Sequence, residues 1–301
     1  MEELPFKREF YDPEELWQNA VNLDVATLQV LPPHEHWWYL PTRFRWEFTD
    51  PTTQQKLDLG IVVSKEAYEL VDKLEFTEPA RLQACRRGHP SPLEYYQTHY
   101  DEILAQAQAQ AAGQPENVRY FIREALFELS VECTTFKISV TKALFKMLGS
   151  RVVLDPSAGW GDRILGAAAA GVDVYHGIDP NPNLRPYYDE ILTFIRNHPR
   201  EIVDESGQVR LFDGSQYALL TEDFLSIADP EPVYDTVFTS PPFFDYEIYV
   251  EDPRQSIAGR PTVEVWLNEF LFPYLRKAWA GLLEGGYLAL HISDVGGRRY
   301  V

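Results

Sequence analysis

Arg151-Val-Val-Leu-Asp-Pro-Ser-Ala-Gly-Trp-Gly-Asp-Arg163 is the stretch that decides the fold. Val152 to Leu154 is short, apolar and β-branched, which reads as a buried parallel strand. Asp162 to Ala170 reads as a helix. Between the two, Gly159 and Gly161 let the backbone turn tightly and approach a ligand without a Cβ in the way. A phosphate-binding loop would turn the helix N-terminus towards an anion. Here the acidic Asp155 stands at the strand end, which repels phosphate and suits a cationic group.

Downstream, the same unit repeats. Val174-Tyr-His-Gly-Ile178 is a second strand closing on Asp179. That carboxylate lies eighteen residues beyond Gly161, the βαβ spacing for gripping a ribose. Asn181 to Asn197 makes the next helix, and Gln208-Val-Arg-Leu-Phe212 reads as a third strand ending at Asp213. A fourth, Val233 to Phe238, runs into Thr-Ser-Pro-Pro-Phe-Phe. Pro241 and Pro242 cannot donate to a sheet ladder and fix φ, so the chain leaves the sheet as a stiff loop. Ser240 brings a hydroxyl, the carbonyls of Ser240 and Pro241 are freed, and Phe243 brings a flat face. Acceptors beside an aromatic ring suit a planar ring carrying an exocyclic amino group. A helix over Thr262–Ala280 then leads to a fifth strand, Gly285 to Ile292.

The expected class is therefore α/β: a Rossmann-like, doubly wound, mostly parallel sheet with a mixed N-terminal extension. Strands ending at Leu154, Ile178, Phe212, Phe238 and Ile292 should share one carboxyl edge, where open sheets bind ligands. Taken singly, Asp155 and Asp213 could cap loops, Asp179 could cap a helix, and Pro-Pro could merely end a strand. Three strands closing on Asp and a fourth on Ser-Pro-Pro-Phe argue against coincidence.

Upstream, residues 117–130 carry apolar side chains at helical spacing, and a second helix runs through Met147 to a stop at Gly149. Residues 91–112 read as a helix broken at Gly113-Gln-Pro115. Trp37-Trp-Tyr39 and Phe44-Arg-Trp-Glu-Phe48, then Lys56 to Val63, read as an aromatic hairpin. His34-Glu-His36 has too few ligands for a metal site, and no metal is expected. Cys85 and Cys133 lack metal spacing and point to a reducing compartment. No apolar run is long enough to span a membrane and no signal-peptide pattern opens the chain, so a cytoplasmic location is expected.

The net charge is −19, which opposes nucleic-acid binding at long range. Local basic strips at Arg43/Arg45, Arg81/Arg86/Arg87 and Arg298/Arg299 are candidate contacts, each reading first as a solvated face and only second as a DNA contact.

Asp-Pro-Ser-Ala-Gly-Trp-Gly-Asp-Arg, Gly-Ile-Asp-Pro-Asn and Phe-Thr-Ser-Pro-Pro-Phe-Phe-Asp-Tyr-Glu together resemble the S-adenosylmethionine-dependent amino-methyltransferases, DNA methylases of phage and bacterial type in particular. The resemblance covers residues 117–294 and leaves residues 1–116 as an extension of unnamed role. It implies that Phe136, Asp155, Ser157, Gly159, Gly161, Asp179 and Asp213 bind S-adenosylmethionine. It also implies that Ser240, Pro241, Pro242 and Phe243 form the catalytic loop, acting on a DNA base flipped from the duplex. Ser before Pro-Pro leans towards cytosine N4 over adenine N6. Asp245, Glu247, Tyr249, Gln255 and Ser256 would border the target pocket. Methylation of RNA or of a protein glutamine, a non-catalytic cofactor-binding subunit and a nicotinamide dehydrogenase are the rival readings. The last lacks its third glycine after Gly161. The family's sheet usually continues into an antiparallel strand pair after the fifth strand. Either this chain is truncated there, or the hairpin near 43–63 takes that place.

Overall fold

The computed structural model describes residues 3–25, 28–30, 42–49, 52–62, 70–86, 88–203, 206–246, 248–249 and 252–292. His34-Glu-His36, Trp37 to Tyr39, Arg87, Glu247 and Arg298/Arg299 lie outside the described residues.

The N-terminal part contributes helix α1 (Pro13–Asn22) and strands β1 (Leu28–Val30), β2 (Thr42–Thr49) and β3 (Lys56–Val62). It continues with α2 (Glu78–Arg81), α3 (Pro92–Thr98) and α4 (Tyr100–Gln110). Strands β2 and β3 pair antiparallel, as the hairpin reading expects, and β1 adds to the far side of β3. Next come α5 (Val118–Leu129), α6 (Ile138–Leu148), β4 (Val152–Asp155), α7 (Asp162–Ala170), β5 (Val174–Ile178) and α8 (Arg185–Arg196). Then follow β6 (Arg200–Val203), β7 (Val209–Phe212), β8 (Tyr217–Leu220) and β9 (Tyr234–Thr239). Helix α9 (Val263–Trp266) runs through a π turn into α10 (Phe272–Ala280), and β10 (Leu282–Leu290) follows.

Five strands form one all-parallel sheet in the order β10-β9-β4-β5-β8. Starting at β4, the chain winds outward through β5 and β8, then returns to β9 on the other side and adds β10 beyond it. The architecture is α/β and Rossmann-like, with its order reversing between β4 and β9. The hairpin of β2 and β3 belongs to a separate sheet, so it does not take the place beside β10.

Alternation along each strand sends side chains to two helical layers. Val153, Tyr175, Leu219 and Phe238 pack with Phe145, Ile164, Leu165 and Ile191 of α6, α7 and α8. Their neighbours Leu154, Ile178 and Val237 pack with Trp266, Phe270, Leu271 and Tyr274 on the opposite face. Leu16, Trp17, Ala20, Val71, Leu74 and Phe76 enter the first of these cores, so the region before residue 116 shares the sheet's interior. Lys142 of α6 donates to the carbonyls of Ala20, Val21 and Leu23 at 2.9, 2.8 and 2.6 Å, capping the end of α1. That charge meets the negative end of the helix dipole.

The third strand corrects the sequence reading. Gln208 to Phe212 does not join the parallel sheet; β7 pairs antiparallel with β6 in a two-stranded ribbon. Val209 and Leu211 are 54% and 68% exposed, so the face of β7 that carries them lies open. The third parallel strand is β8, which buries Tyr217 and Leu219. Short apolar runs of this kind do not by themselves reveal their pairing partner.

A buried ionic network fastens the N-terminal helices. Arg123 donates to Glu78 at 2.7 Å and to both oxygens of Glu132 at 2.5 and 2.9 Å. Arg81 reaches Glu132 at 2.8 Å and Glu75 at 2.5 Å. The backbone N–H of Lys7 donates to the second oxygen of Glu78.

Candidate active site

Where the winding reverses, the loops after β4 and β9 part and leave a crevice at the carboxyl edge. A cleft of about 600 Å³ lies there, and Ser157, Gly159, Asp179, Ser240, Pro242 and Phe243 all line it. Phe136 lines it as well, edge-on to Phe238 with ring centroids 5.2 Å apart.

Two hydroxyl contacts tie its walls together. Ser157 Oγ lies 2.7 Å from Thr239 Oγ1, which lies 2.5 Å from the Tyr274 hydroxyl. All three are buried, so these contacts link the loop after β4, the end of β9 and helix α10. The segment before α2 joins them, because Thr77 Oγ1 donates to the Trp160 carbonyl at 2.7 Å. Gly159 has φ +59, a left-handed conformation that favours glycine. Its N–H donates to Asp179 Oδ2 at 3.0 Å and its carbonyl accepts from Tyr188 at 2.5 Å. The other Asp179 oxygen accepts from the Asn181 N–H at 3.0 Å. Burial pushes the Asp179 carboxyl up to about 6.

Three expected cofactor residues stand elsewhere. Asp155 is fully buried and does not line the cleft. Its oxygens accept from Arg163 Nε and Nη2 at 2.6 and 3.0 Å and from Tyr175 at 2.6 Å. The cation that Asp155 suits is the chain's own guanidinium, since a carboxylate buried this deeply needs a partner. Gly161, with φ +86, faces α8: a Cβ there would come within 2.5 Å of Ile191 Cδ1. Its glycine serves helix packing. Asp213 is exposed on the turn after β7 and accepts from the Ser215 N–H at 2.8 Å. The residues following the true third strand, Asp223 and Phe224, line the cleft instead. The strand-end rule would have found them had it been applied to Tyr217–Leu220.

The residues expected to form the catalytic loop are largely brought together. Ser240, Pro242 and Phe243 line the cleft, while Pro241 does not. All described peptide bonds are trans, and Phe244 completes the bend with φ +43. Beyond it, Tyr249, Gln255 and Ser256 reach the cleft and Asp245 does not. The Tyr249 carbonyl accepts from the Cys85 N–H at 3.2 Å, and the Tyr249 ring meets Trp160 edge-on at 5.3 Å.

Two titratable cleft residues that the sequence reading passed over bear on the chemistry. His291, just past β10, places Nδ1 3.0 Å from Ser240 Oγ. Burial, reinforced by the Arg163 charge, lowers its imidazole to about 4, so the ring is neutral at physiological pH. Asp162, first residue of α7, is 6% exposed and opens on the cleft. Burial, with Glu75 nearby, pushes its carboxyl up to about 7. Among the described residues, no group of three or more His, Cys, Asp or Glu side chains is arranged to hold a metal. Nor is any described helix long and apolar enough to cross a membrane.

Asp162 makes a measurable prediction. Its folded carboxyl titrates above the ordinary value of 3.8, so it favours the folded chain fully below that pH and loses this contribution as pH rises through about 7. Asp162→Asn carries no charge at any pH. It should stabilise the ligand-free chain by about 1–3 kcal/mol at pH 8 and change little at pH 4. Urea unfolding at both values checks this; an equal effect at the two would show that the carboxyl is not a strained buried charge.

Compared with known proteins, the chain matches no family model and no curated sequence significantly.

Proposed function

We propose that this chain is an S-adenosylmethionine-dependent methyltransferase acting on an exocyclic amino nitrogen of a DNA base, cytosine N4 ahead of adenine N6. The observation that carries the reading is the shared cleft. A Ser-Pro-Pro-Phe loop and a glycine turn flanked by Asp162 and Asp179 open on one cavity, at the reversal of a doubly wound sheet. The residues present fit the cofactor. Asp162 is a carboxylate held at a cost in the ligand-free cleft, and a cationic ligand would relieve that cost. When bound, S-adenosylmethionine would supply an electrophilic methyl group carried on a positive sulfur. Asp179 would meet the ribose hydroxyls, Phe136 would cover the methionine end, and Asp162 would balance the positive charge.

An exocyclic amino nitrogen is a poor nucleophile because its lone pair is shared with the ring. Ser240 Oγ would accept one of its hydrogens and favour the pyramidal geometry that frees the pair. Phe243 would present a ring edge or face to the base. Removing one acceptor while keeping the proline-stiffened backbone separates chemistry from binding. Ser240→Ala should raise the barrier by on the order of 2–4 kcal/mol and leave cofactor affinity by calorimetry within about twofold of wild type. Full methyl transfer by Ser240→Ala would reduce Ser240 to a strand terminator. A wild-type chain that does not bind S-adenosylmethionine would overturn the whole reading.

A second reading keeps the chemistry and changes the acceptor. The net charge of −19 repels a phosphate backbone, which favours an RNA loop entering by a local contact or a protein glutamine amide. Tritium transfer from labelled S-adenosylmethionine into DNA, RNA and protein pools decides between these substrates.

A further inference from the structure

The reaction releases a proton, and the Ser240-Pro-Pro-Phe243 segment itself contains no carboxylate to take it. We infer that His291 is a positioning residue that acts through Ser240, holding the hydroxyl as an acceptor towards the substrate and taking up the proton that the amino nitrogen loses. This rests on the methyl-transfer reading above.

The geometry is fixed from the backbone outward. The His291 N–H donates to the Thr239 carbonyl at 2.9 Å, so the register of β10 on β9 sets where the imidazole starts. The ring lies between Phe136 and Phe243, with centroids 5.3 and 6.0 Å away. Its Nδ1 is 3.0 Å from Ser240 Oγ. A neutral imidazole has one donor and one acceptor nitrogen. With the proton on Nε2, Nδ1 accepts the Ser240 hydroxyl hydrogen, and the Ser240 lone pairs are left for the cleft. Pro241 and Pro242 stiffen the backbone that carries this hydroxyl.

The balance closes without a further reactant. The substrate nitrogen gains the methyl carbon, and the electron pair of the broken bond leaves with the donor's sulfur. That nitrogen now carries a positive charge, which it sheds by passing one N–H proton to Ser240 Oγ. Ser240 passes its own hydroxyl proton to His291 Nδ1. The site holds one positive charge before the step, on sulfur, and one after it, on the imidazole. Among the described residues, Arg163 on α7 opposes protonation of the ring, and Asp155 pairs with Arg163. A cationic donor in the cleft therefore keeps His291 unprotonated, and its conversion to a neutral product makes protonation easier at the moment it is needed.

The test reads the ring directly. Histidine-labelled protein is titrated by NMR, with the His291 signal assigned by its loss in His291→Asn. With S-adenosylmethionine bound, His291 should titrate about one pH unit lower than with S-adenosylhomocysteine bound. Titration at the same pH with both ligands overturns the proposal while leaving the methyl-transfer reading intact. Absence of binding by either ligand removes both. Asn at 291 can still accept from Ser240 but cannot carry the proton. His291→Asn should therefore bind S-adenosylmethionine normally yet transfer label to the wild-type substrate pool about 100-fold more slowly. Wild-type rate in His291→Asn would mean that the contact is structural only.

Discussion

Arg163→Met should cost the folded chain about 3–5 kcal/mol, because it leaves the Asp155 carboxylate buried beside no cation. Asp155 is 0% exposed and Arg163 is 5% exposed, so water cannot substitute for the lost partner. Two charge-assisted hydrogen bonds disappear, at 2.6 and 3.0 Å, together with the bond from Arg163 to the Ser157 carbonyl. Tyr175 and the Ser157 N–H remain on the carboxylate, which is too little for a buried charge. Against a total stability of roughly 5–15 kcal/mol, the loss brings the chain near its unfolding threshold. Urea unfolding at neutral pH measures it. The double variant Asp155→Leu, Arg163→Met removes both charges and should recover most of the loss. If the single variant loses under about 1 kcal/mol, the value of an exposed pair, the guanidinium is not what neutralises Asp155. The same contacts hold the Ser157 carbonyl, so the pair serves as a brace under the glycine turn.

Arg123→Met carries a comparable penalty, about 3–5 kcal/mol, in the ionic network of the N-terminal helices. It strips Glu78 and Glu132 of their shared guanidinium, and Arg123 and Glu78 are both fully buried. The dependence on pH follows from two opposed carboxyls. Burial would raise Glu132, but Arg123 and Arg81 outweigh it and hold that carboxyl below its ordinary 4.5. Its contribution is therefore present above pH 4.5 and is lost as pH falls through the lower folded value. Burial raises Glu78 despite Arg123, so its contribution is present below pH 4.5 and is lost as pH rises through the higher folded value. Without Arg123 both carboxyls shift towards the protonated form, although Arg81 still reaches Glu132. The variant should fall furthest behind wild type at pH 7 and recover part of the gap at pH 4. Parallel denaturation curves at the two values check this, and a gap that widens on acidification would refute it.

Local chemistry made the central unit legible in the sequence. The Val152 to Asp155 strand, the glycine turn and the Pro241-Pro242 exit are fixed by side-chain shape, positive φ and missing N–H groups, all properties of neighbouring residues. The same is true of Asp179, whose place at a strand end puts it on the cleft. Other residues needed partners distant in the chain. Val209 to Phe212 and Tyr217 to Leu220 are both short apolar runs, and only pairing with β5 makes the second the sheet strand. Asp155 and Asp162 flank one loop, but Arg163 neutralises the first and Tyr175 donates to it, while the second faces the cleft. His291 and Ser240 stand fifty-one positions apart and meet because β10 lies in register beside β9. Sequence determined which backbone turns could exist, since those energies are local. Tertiary structure decided which charges are compensated and which face the ligand, since burial and Coulomb attraction depend on neighbours that only the folded sheet brings within reach.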